Sequence, residues 1–457
     1  MTERDKTPSR SWRLAGGIAG AFLAAVGVMA AGIFSSAVDA RPSAPAGITG
    51  LRDVLHVPPL FLAAGASVRL TYDVVCQADE VGTPCPIRGA LFVRGDGERQ
   101  FRSTPLEVQT ESVLTGILDR PVTAGAAFQY YAVIEDGLGD VLTVPAGGAS
   151  APQRAWVLDK AIRVDLGAHV FGRMRSPDGT VVRASWGRGY GEVGLTAGRD
   201  QVRMGPSAFD VGPDGGIVVL DQLNDRLALY PKLGRSPRYL PISFAGAEGD
   251  LAVTSDGSIH VLDQGAEPVV RSYTSAGAAI ASIVVDDHRP DMLRAGPNGP
   301  LLHGYPGDLW FPLQEGGAPL GVSERAARAR AGLEIGDRSE LVVSGDLHGA
   351  TFALVRGDRV LRAWRVASET NLGEIQLAKR FGDGLVVVLR RWTESRAEFV
   401  ALVLSAAGLE RSFSIDTGEW AESAPLSRFR LDGRTLYQLR SAPSGVEVVS
   451  FDMGGVR

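Results

Sequence analysis

The sequence predicts an all-β protein: an N-terminal membrane segment, then a β-sandwich, then a β-propeller of six blades, with seven as the alternative. Three observations predict it. Glycine makes up 57 of 457 residues without a G-X-Y period, which points to many tight turns. Residues 51–159 alternate in short apolar/polar runs bounded by turn residues. Beyond residue 160, a strand–turn–strand unit recurs about every 40–45 residues, the period of propeller blades. A lone blade buries neither face, whereas a ring of blades buries both and leaves few open edges. The 45% hydrophobic content excludes a mainly disordered chain, and the net charge of −5 argues against a nucleic-acid partner. Arginine outnumbers lysine about tenfold, the four lysines being Lys6, Lys160, Lys232 and Lys379.

Residues 1–40 read as a basic stub followed by the uncharged run Leu14–Phe34, LAGGIAGAFLAAVGVMAAGIF. About 20 apolar residues suffice to span a bilayer, and the flanking Arg4, Lys6, Arg10 and Arg13 orient the rest of the chain outward. Small residues before Arg41 resemble signal-peptide cleavage sites, so a retained anchor and a cleaved signal both stay open. In either case the body of the protein is expected to be extracytoplasmic, secreted or held to the membrane by this helix. The only two cysteines, Cys76 and Cys85, then read as a disulfide. A ring this short would stabilise by roughly 2.5–3 kcal/mol. Residues 41–50 (RPSAPAGITG) form a linker with nothing to bury.

Within 51–159, Ser67–Cys76 places Val68, Leu70, Tyr72 and Val74 on one face and Arg69, Thr71 and Asp73 on the other. Ala127–Glu135 (AFQYYAVIE), the turn Asp136–Asp140 and Val141–Val144 read as a hairpin. About seven such strands predict a sandwich. The stretch Pro121–Pro145 resembles the final hairpin of immunoglobulin-like and fibronectin-III-like modules of exported bacterial proteins, with its Tyr-Tyr strand, Asp-Gly turn and short strand running into proline. That resemblance implies a spacer or binding module and brings no catalytic residue.

In residues 160–457, Ala208–Tyr230 and Leu251–Tyr273 share an apolar strand, an Asp-Gly turn, a strand ending Leu-Asp-Gln and a third strand ending in Tyr. Weaker copies of the turn stand at Asp178-Gly179, Asn298-Gly299, Asp383-Gly384 and Asp432-Gly433, and a degenerate turn near Gly345–Arg356 is expected to fill the one double-length gap. Pro206–Tyr230 resembles the NHL repeat through Pro206, Phe209, Val211, Asp214, Gly215, Val219, Asp221, Asn224 and Arg226. The second copy keeps Asp256, Gly257 and Asp263 but has lost the Asn. Ser323–Leu333 (SERAARARAGL) reads as a solvated helix between blades, with Ser323 as its cap and Arg325, Arg328 and Arg330 available to an anionic partner.

Chemistry is sparse. Gly189–Gly194 is formally G-x-G-x-x-G but lacks the strand-to-helix context of a dinucleotide site, and reads as a glycine-rich loop. The six histidines show no metal-ligand spacing. Asp286-Asp287-His288 is the densest polar cluster, read as a hydrated turn or, alternatively, an ion or acid–base site. Asp221, Asn224, Arg226, His260 and Asp263 fall at or near equivalent strand ends and are the candidate rim residues for a ligand. In NHL-type repeats such Asp and Arg side chains tie neighbouring strands together. No cofactor is implied, and the Asp-Gly turns neither require nor exclude calcium. The leading functional reading is a cell-envelope binding or scaffold protein that presents its propeller to a protein, peptide or glycan. The alternative is an extracytoplasmic metal-dependent propeller hydrolase or lyase of lactonase type, for which no catalytic residue is named.

Overall fold

The computed structural model describes residues 50–77, 86–118, 124–196, 198, 202–232, 236–285, 290–304, 309–422 and 427–454. Leu14–Phe34, Cys85 and Asp286–His288 lie outside them. Among the described residues no helix is long and apolar enough to cross a membrane.

Two sheets make a sandwich. One orders Gly50–Leu55, Val68–Gln77, Val113–Leu118 and Glu107–Thr110. The other orders Phe61–Ala63, Gln153–Leu158, Ala127–Asp136, Ile87–Gly95 and Arg102–Pro105, with Val141–Val144 also paired to Ala127–Asp136. The predicted alternation places Leu70, Tyr72 and Val74 in the core against Leu91, Phe128, Tyr130 and Ile134, while Arg69, Thr71 and Asp73 face solvent. Asp136 fixes the expected hairpin: its carboxylate accepts from the backbone N–H of Leu138 and Asp140, each at 2.9 Å, and of Leu51 at 2.7 Å. Cys76 sits half-buried at the end of its strand, and no described cysteine is free.

Six larger sheets follow among the described residues, besides the small two-stranded sheet Gln314–Glu315 with Ala318–Pro319. The first runs Ala208–Val211, Ile217–Asp221, Arg226–Tyr230, Arg238–Pro241, and the second Gly249–Val253, Ile259–Asp263, Val269–Tyr273, Ala279–Val284. The third is Pro290–Gly296, Gly299–Gly304, Leu309–Pro312, extended by backbone bonds between Trp310 and Arg330. The fourth is Leu333–Gly336, Ser339–Gly345, Gly349–Arg356, Arg359–Ala367, and the fifth Asn371–Phe381, Gly384–Trp392, Ala397–Ser405, Gly408–Ile415. The sixth is Phe429–Asp432, Thr435–Ala442, Gly445–Asp452. Strands near the start of each sheet touch those of the next, and Phe429–Asp432 touches Ala208–Val211, so the series closes on itself. Apolar clusters fill the spaces between sheets, as where Trp364 and Phe352 of the fourth meet Leu385 and Leu402 of the fifth. Antiparallel sheets closed into a ring around an axis are a β-propeller.

The chain between sandwich and ring wraps the outside. Ile162–Asp165 adds in parallel to the outer edge of the fourth sheet, Met174 bridges Ser414 of the fifth, and Gly179–Trp186 completes the sixth. A strand from the start of the ring thereby closes the last sheet and covers its edge.

Three expectations are corrected. Asp178-Gly179 is not a hairpin turn of a blade but the entry to that closing strand. The degenerate turn lies at Asp337-Arg338, not near Gly345–Arg356: both residues take left-handed φ, 53° and 56°, where the other copies place a glycine. The helix, α1, spans only Val322–Ala327, with Gly321 rather than Ser323 at its cap and Glu324 accepting from the Gly321 N–H at 3.0 Å. Its arginines are committed internally. Arg325 is buried and donates to Leu320 O and Val284 O, Arg328 pairs with Glu315, and Arg330 pairs with Glu340.

Candidate functional site: an axial cavity

The rim residues hold loops. Asp221 is fully buried and accepts from Gly194 N–H, Asn224 Nδ2 and Arg226 Nε, each at 2.8 Å. Asn224 also donates to Gly187 O, and Arg226 to the carbonyls of Arg188, Gly189 and Glu192. The glycine-rich loop 187–194 is thus pinned to the first sheet, and its glycines bring bare backbone against these side chains. A Cβ on Gly194 would stand 2.6 Å from Leu223 Cβ. Asp263 does the same in the second sheet, accepting from Ala245 and Gly246 N–H and from Arg271. Arg271 stands two residues further along its strand than Arg226 yet reaches the equivalent carboxylate.

His260 lies between sheets, 2% exposed, with Nδ1 at 2.8 Å from Ser272 Oγ and Nε2 at 3.4 Å from Thr254 Oγ1. Burial lowers its pKa from 6.5 to about 4, against the opposing pull of Asp256. The unfolded chain therefore binds the extra proton first, and stability is expected to fall as pH drops from about 6.5 to about 4, by on the order of 3 kcal/mol. His260→Gln, which cannot ionise, should flatten that part of the profile in urea titrations at pH 7 and pH 4.5. Equal pH dependence in the two proteins would count against the assignment.

A cavity of about 800 Å³ lies on the propeller axis. Every sheet of the ring contributes to its wall, including Asp210, Val253, Arg294, Glu334, Lys379 and Arg430. The sandwich contributes too, through His56, Val57, Pro58 and Leu60 in the segment between its first two strands. His56 is fixed there by Thr71 O at 2.7 Å and Tyr130 Oη at 2.9 Å and stacks on Tyr72 with centroids 4.4 Å apart. Burial holds its pKa below the usual value.

One stretch of the cavity wall carries a dense charge network. Asp250, fully buried, accepts from Leu293 N–H at 2.8 Å, Arg294 Nη1 at 2.6 Å, Ser427 Oγ at 2.6 Å and Arg430 Nη2 at 3.1 Å, as well as from Leu251 N–H. Burial alone would raise its pKa, but Arg294 and Arg430, together with the hydrogen bonds from Leu293 N–H and Ser427, outweigh burial and hold it below the ordinary carboxylate value. Asp210 accepts from Val253 N–H at 2.8 Å and lies 3.3 Å from Arg430 Nε. Asp210 and Asp250 each reach an inner-strand N–H 43 residues further on. Both are therefore clips between successive sheets.

Lys379 sits beside these groups. It lines the cavity, is exposed, and its Nζ donates to Leu431 O at 2.7 Å. Burial lowers its pKa; Asp210 and Asp432 oppose this, while Arg430 and Arg294 add to it. Nearby, Gln376 Oε1 and Arg430 Nε are buried without a hydrogen-bond partner.

None of these axial residues stands out in the sequence as a motif. The available signal was a charge inside an apolar strand, as in AFDV, GDLAV and FRLD. Among the described residues, no three His, Cys, Asp or Glu side chains gather to hold a metal ion.

No protein-family model and no curated protein sequence matches the chain. Similar solved structures include virginiamycin B lyase from Staphylococcus aureus, at 13% identity over 54% of this chain and 94% of that one, with a TM-score of 0.33. YCF48 from Cyanidioschyzon merolae is 14% identical over 54% of this chain and 96% of that one, TM-score 0.28. The C-terminal WD40 domain of Sif2 is 9% identical over 88% and 98%, TM-score 0.29. At these scores the likeness carries no argument of its own, and the propeller rests on strand pairing and ring closure.

Proposed function

We propose that the chain is an exported cell-envelope binding or scaffold protein. In this reading an immunoglobulin-like sandwich, closed by a Cys76–Cys85 disulfide, supports a six-bladed propeller that takes its ligand in the axial cavity. The observation that carries the reading is the cavity itself. It is walled by all six sheets and by the sandwich, and it holds charged groups of both signs together with unpartnered polar atoms. The rim residues Asp221, Asn224, Arg226 and Asp263 support it by exclusion, since their hydrogen-bonding capacity is spent on loops. The metal-dependent hydrolase or lyase has no ligand set among the described residues.

Two measurements on the full chain test this reading. A C-terminal tag should be accessible to protease outside the cytoplasmic membrane, and protection of the tag inside would overturn export. Immobilised protein should retain a specific envelope component that survives washing with salt. Repeated retention of nothing above background would overturn the binding reading.

A further inference from the structure

The geometry points to a neutral saccharide site in the part of the cavity between the third and fourth sheets, with Trp310 as its stacking platform. The inference rests on the cavity being the ligand site. Apolar clusters fill five of the six spaces between successive sheets of the ring. Among the described residues none joins the third sheet to the fourth, because Val342, Ala353, Val355 and Ala363 of the fourth pack against the sandwich instead. The third sheet buries Leu302 and Phe311 toward the second. Alternation therefore turns their chain neighbours His303 and Trp310 to the opposite face, onto the cavity.

Trp310 keeps a donor there. Trp156, Trp186, Trp364 and Trp392 each donate the indole N–H to a backbone carbonyl. Trp310 and Trp420 have no such acceptor among the described residues, and of these two only Trp310, half-buried, lines the cavity. His303 tilts against its ring, centroids 4.8 Å apart, and holds Asp291 Oδ1 at 2.7 Å. Glu334 enters from the fourth sheet, half-buried, with Oε1 at 3.3 Å from Asn298 Nδ2. From the fifth sheet, Gln376 is the extra residue of a bulge, 4% exposed, and its Oε1 is buried without a partner. A pyranose ring suits this set. Its C–H face covers the indole, and each hydroxyl donates to one group while accepting from another. Asp291 and Glu334 accept; the Trp310 N–H and the Gln376 amide, which presents either of its atoms, complete the pairing. The whole wall carries five carboxylates against three arginines and one lysine, so neither sign dominates and nothing calls for a charged ligand. The volume of about 800 Å³ lies in the range of small-ligand pockets and admits a short oligosaccharide.

The test uses the full chain isotopically labelled at the tryptophan nitrogens, so that each indole N–H gives its own NMR signal. The Trp310 signal is the one missing from Trp310→Phe. Maltotriose, cellotriose and N,N′-diacetylchitobiose are the probes, with N-acetyl-dialanine amide as the neutral peptide comparison. At least one sugar should shift the Trp310 signal and leave that of Trp364, buried between the fourth and fifth sheets, in place. Glu334→Gln should bind that sugar about tenfold more weakly by calorimetry, as expected for loss of a charged acceptor. Trp310→Phe should also weaken binding while retaining part of it. Affinity should be the same in low and high salt, because the ligand is uncharged.

Unchanged melting transitions of the two variants check their folding, and the shift in wild-type protein is independent of both. A shift by the peptide amide and by no sugar assigns the site to a peptide and overturns the saccharide. No shift with any probe overturns it too; if the full chain still retains an envelope component, the binding reading stands. A sugar that binds both variants as it binds wild type, and leaves the Trp310 signal in place, removes this site while sparing that reading. Retention of neither sugar nor envelope component brings down both.

Discussion

Replacing Asp250 by alanine should cost about 3–5 kcal/mol in urea-induced unfolding, because it leaves two buried guanidinium groups without their main counter-charge. Asp250 belongs to the second sheet, Arg294 and Leu293 to the third, and Ser427 and Arg430 to the chain entering the sixth. One carboxylate therefore ties three sheets together at the axis. With it gone, Arg294 and Arg430 repel each other, while Asp210 still attracts both. Asp250→Asn keeps acceptors on one side and should fall between wild type and alanine.

The pH dependence has a defined sign. The folded carboxyl titrates below its ordinary value of 3.8, so its stabilisation is fully present above that value and is lost as pH falls below it. The gap between wild type and Asp250→Asn should close in acid. A cost under about 1 kcal/mol for Asp250→Ala would show that water in the cavity solvates the arginines adequately, and would remove the clip argument.

That network marks the limit of what the sequence made legible. The Asp-Gly repeat was readable because a tight hairpin needs left-handed backbone, and glycine advertises it at Gly215, Gly257 and Gly433. At Asp337-Arg338 the same geometry is held by two side-chain-bearing residues, so the period seemed to skip. The sandwich strand Val68–Gln77 was readable from alternation, since Arg69, Thr71 and Asp73 give it one wet face.

Inner propeller strands have no such pattern. Gly249–Val253 and Ile217–Asp221 are buried throughout, and a charge there looks like an interruption rather than a site. Asp250 meets Arg430 across 180 residues of chain, and no local period encodes that meeting. The covering role of Gly179–Trp186 was equally hidden, because ring closure pairs it with Gly445–Asp452 at the far end of the sequence. Conversely, Asp221, Asn224 and Arg226 were visible as a set because all three serve one loop within a single repeat.

Replacing Trp156 by alanine should uncouple the sandwich from the propeller, at about 3–5 kcal/mol for the lost ring and the cavity it leaves. Trp156 ends up 1% exposed in a cluster with Leu60 and Ala127 of the sandwich and Val342, Ala353, Val355 and Ala363 of the fourth sheet. Its indole N–H donates to Gly357 O at 3.1 Å. The neighbouring Arg154–Asp358 pair, at 3.4 Å and half-exposed, adds little on its own, so the interface depends on this side chain. Trp156→Phe should lose mainly the hydrogen bond, about 1 kcal/mol.

The readout is trypsin. Exposed Lys160 lies directly between the last sandwich strand and the first strand that joins the ring. In Trp156→Ala, cleavage at Lys160 should accelerate and thermal unfolding should split into two transitions. Unchanged resistance and a single transition would mean that the belt of residues 162–186, not Trp156, joins the two parts. The consequence reaches the cavity. Besides the backbone bond from Trp156 N–H to Leu60 O at 2.9 Å, which alanine would keep, the indole ring packs in one cluster with Leu60 and Phe61, so the side chain helps set the position of His56–Leu60 in the cavity wall.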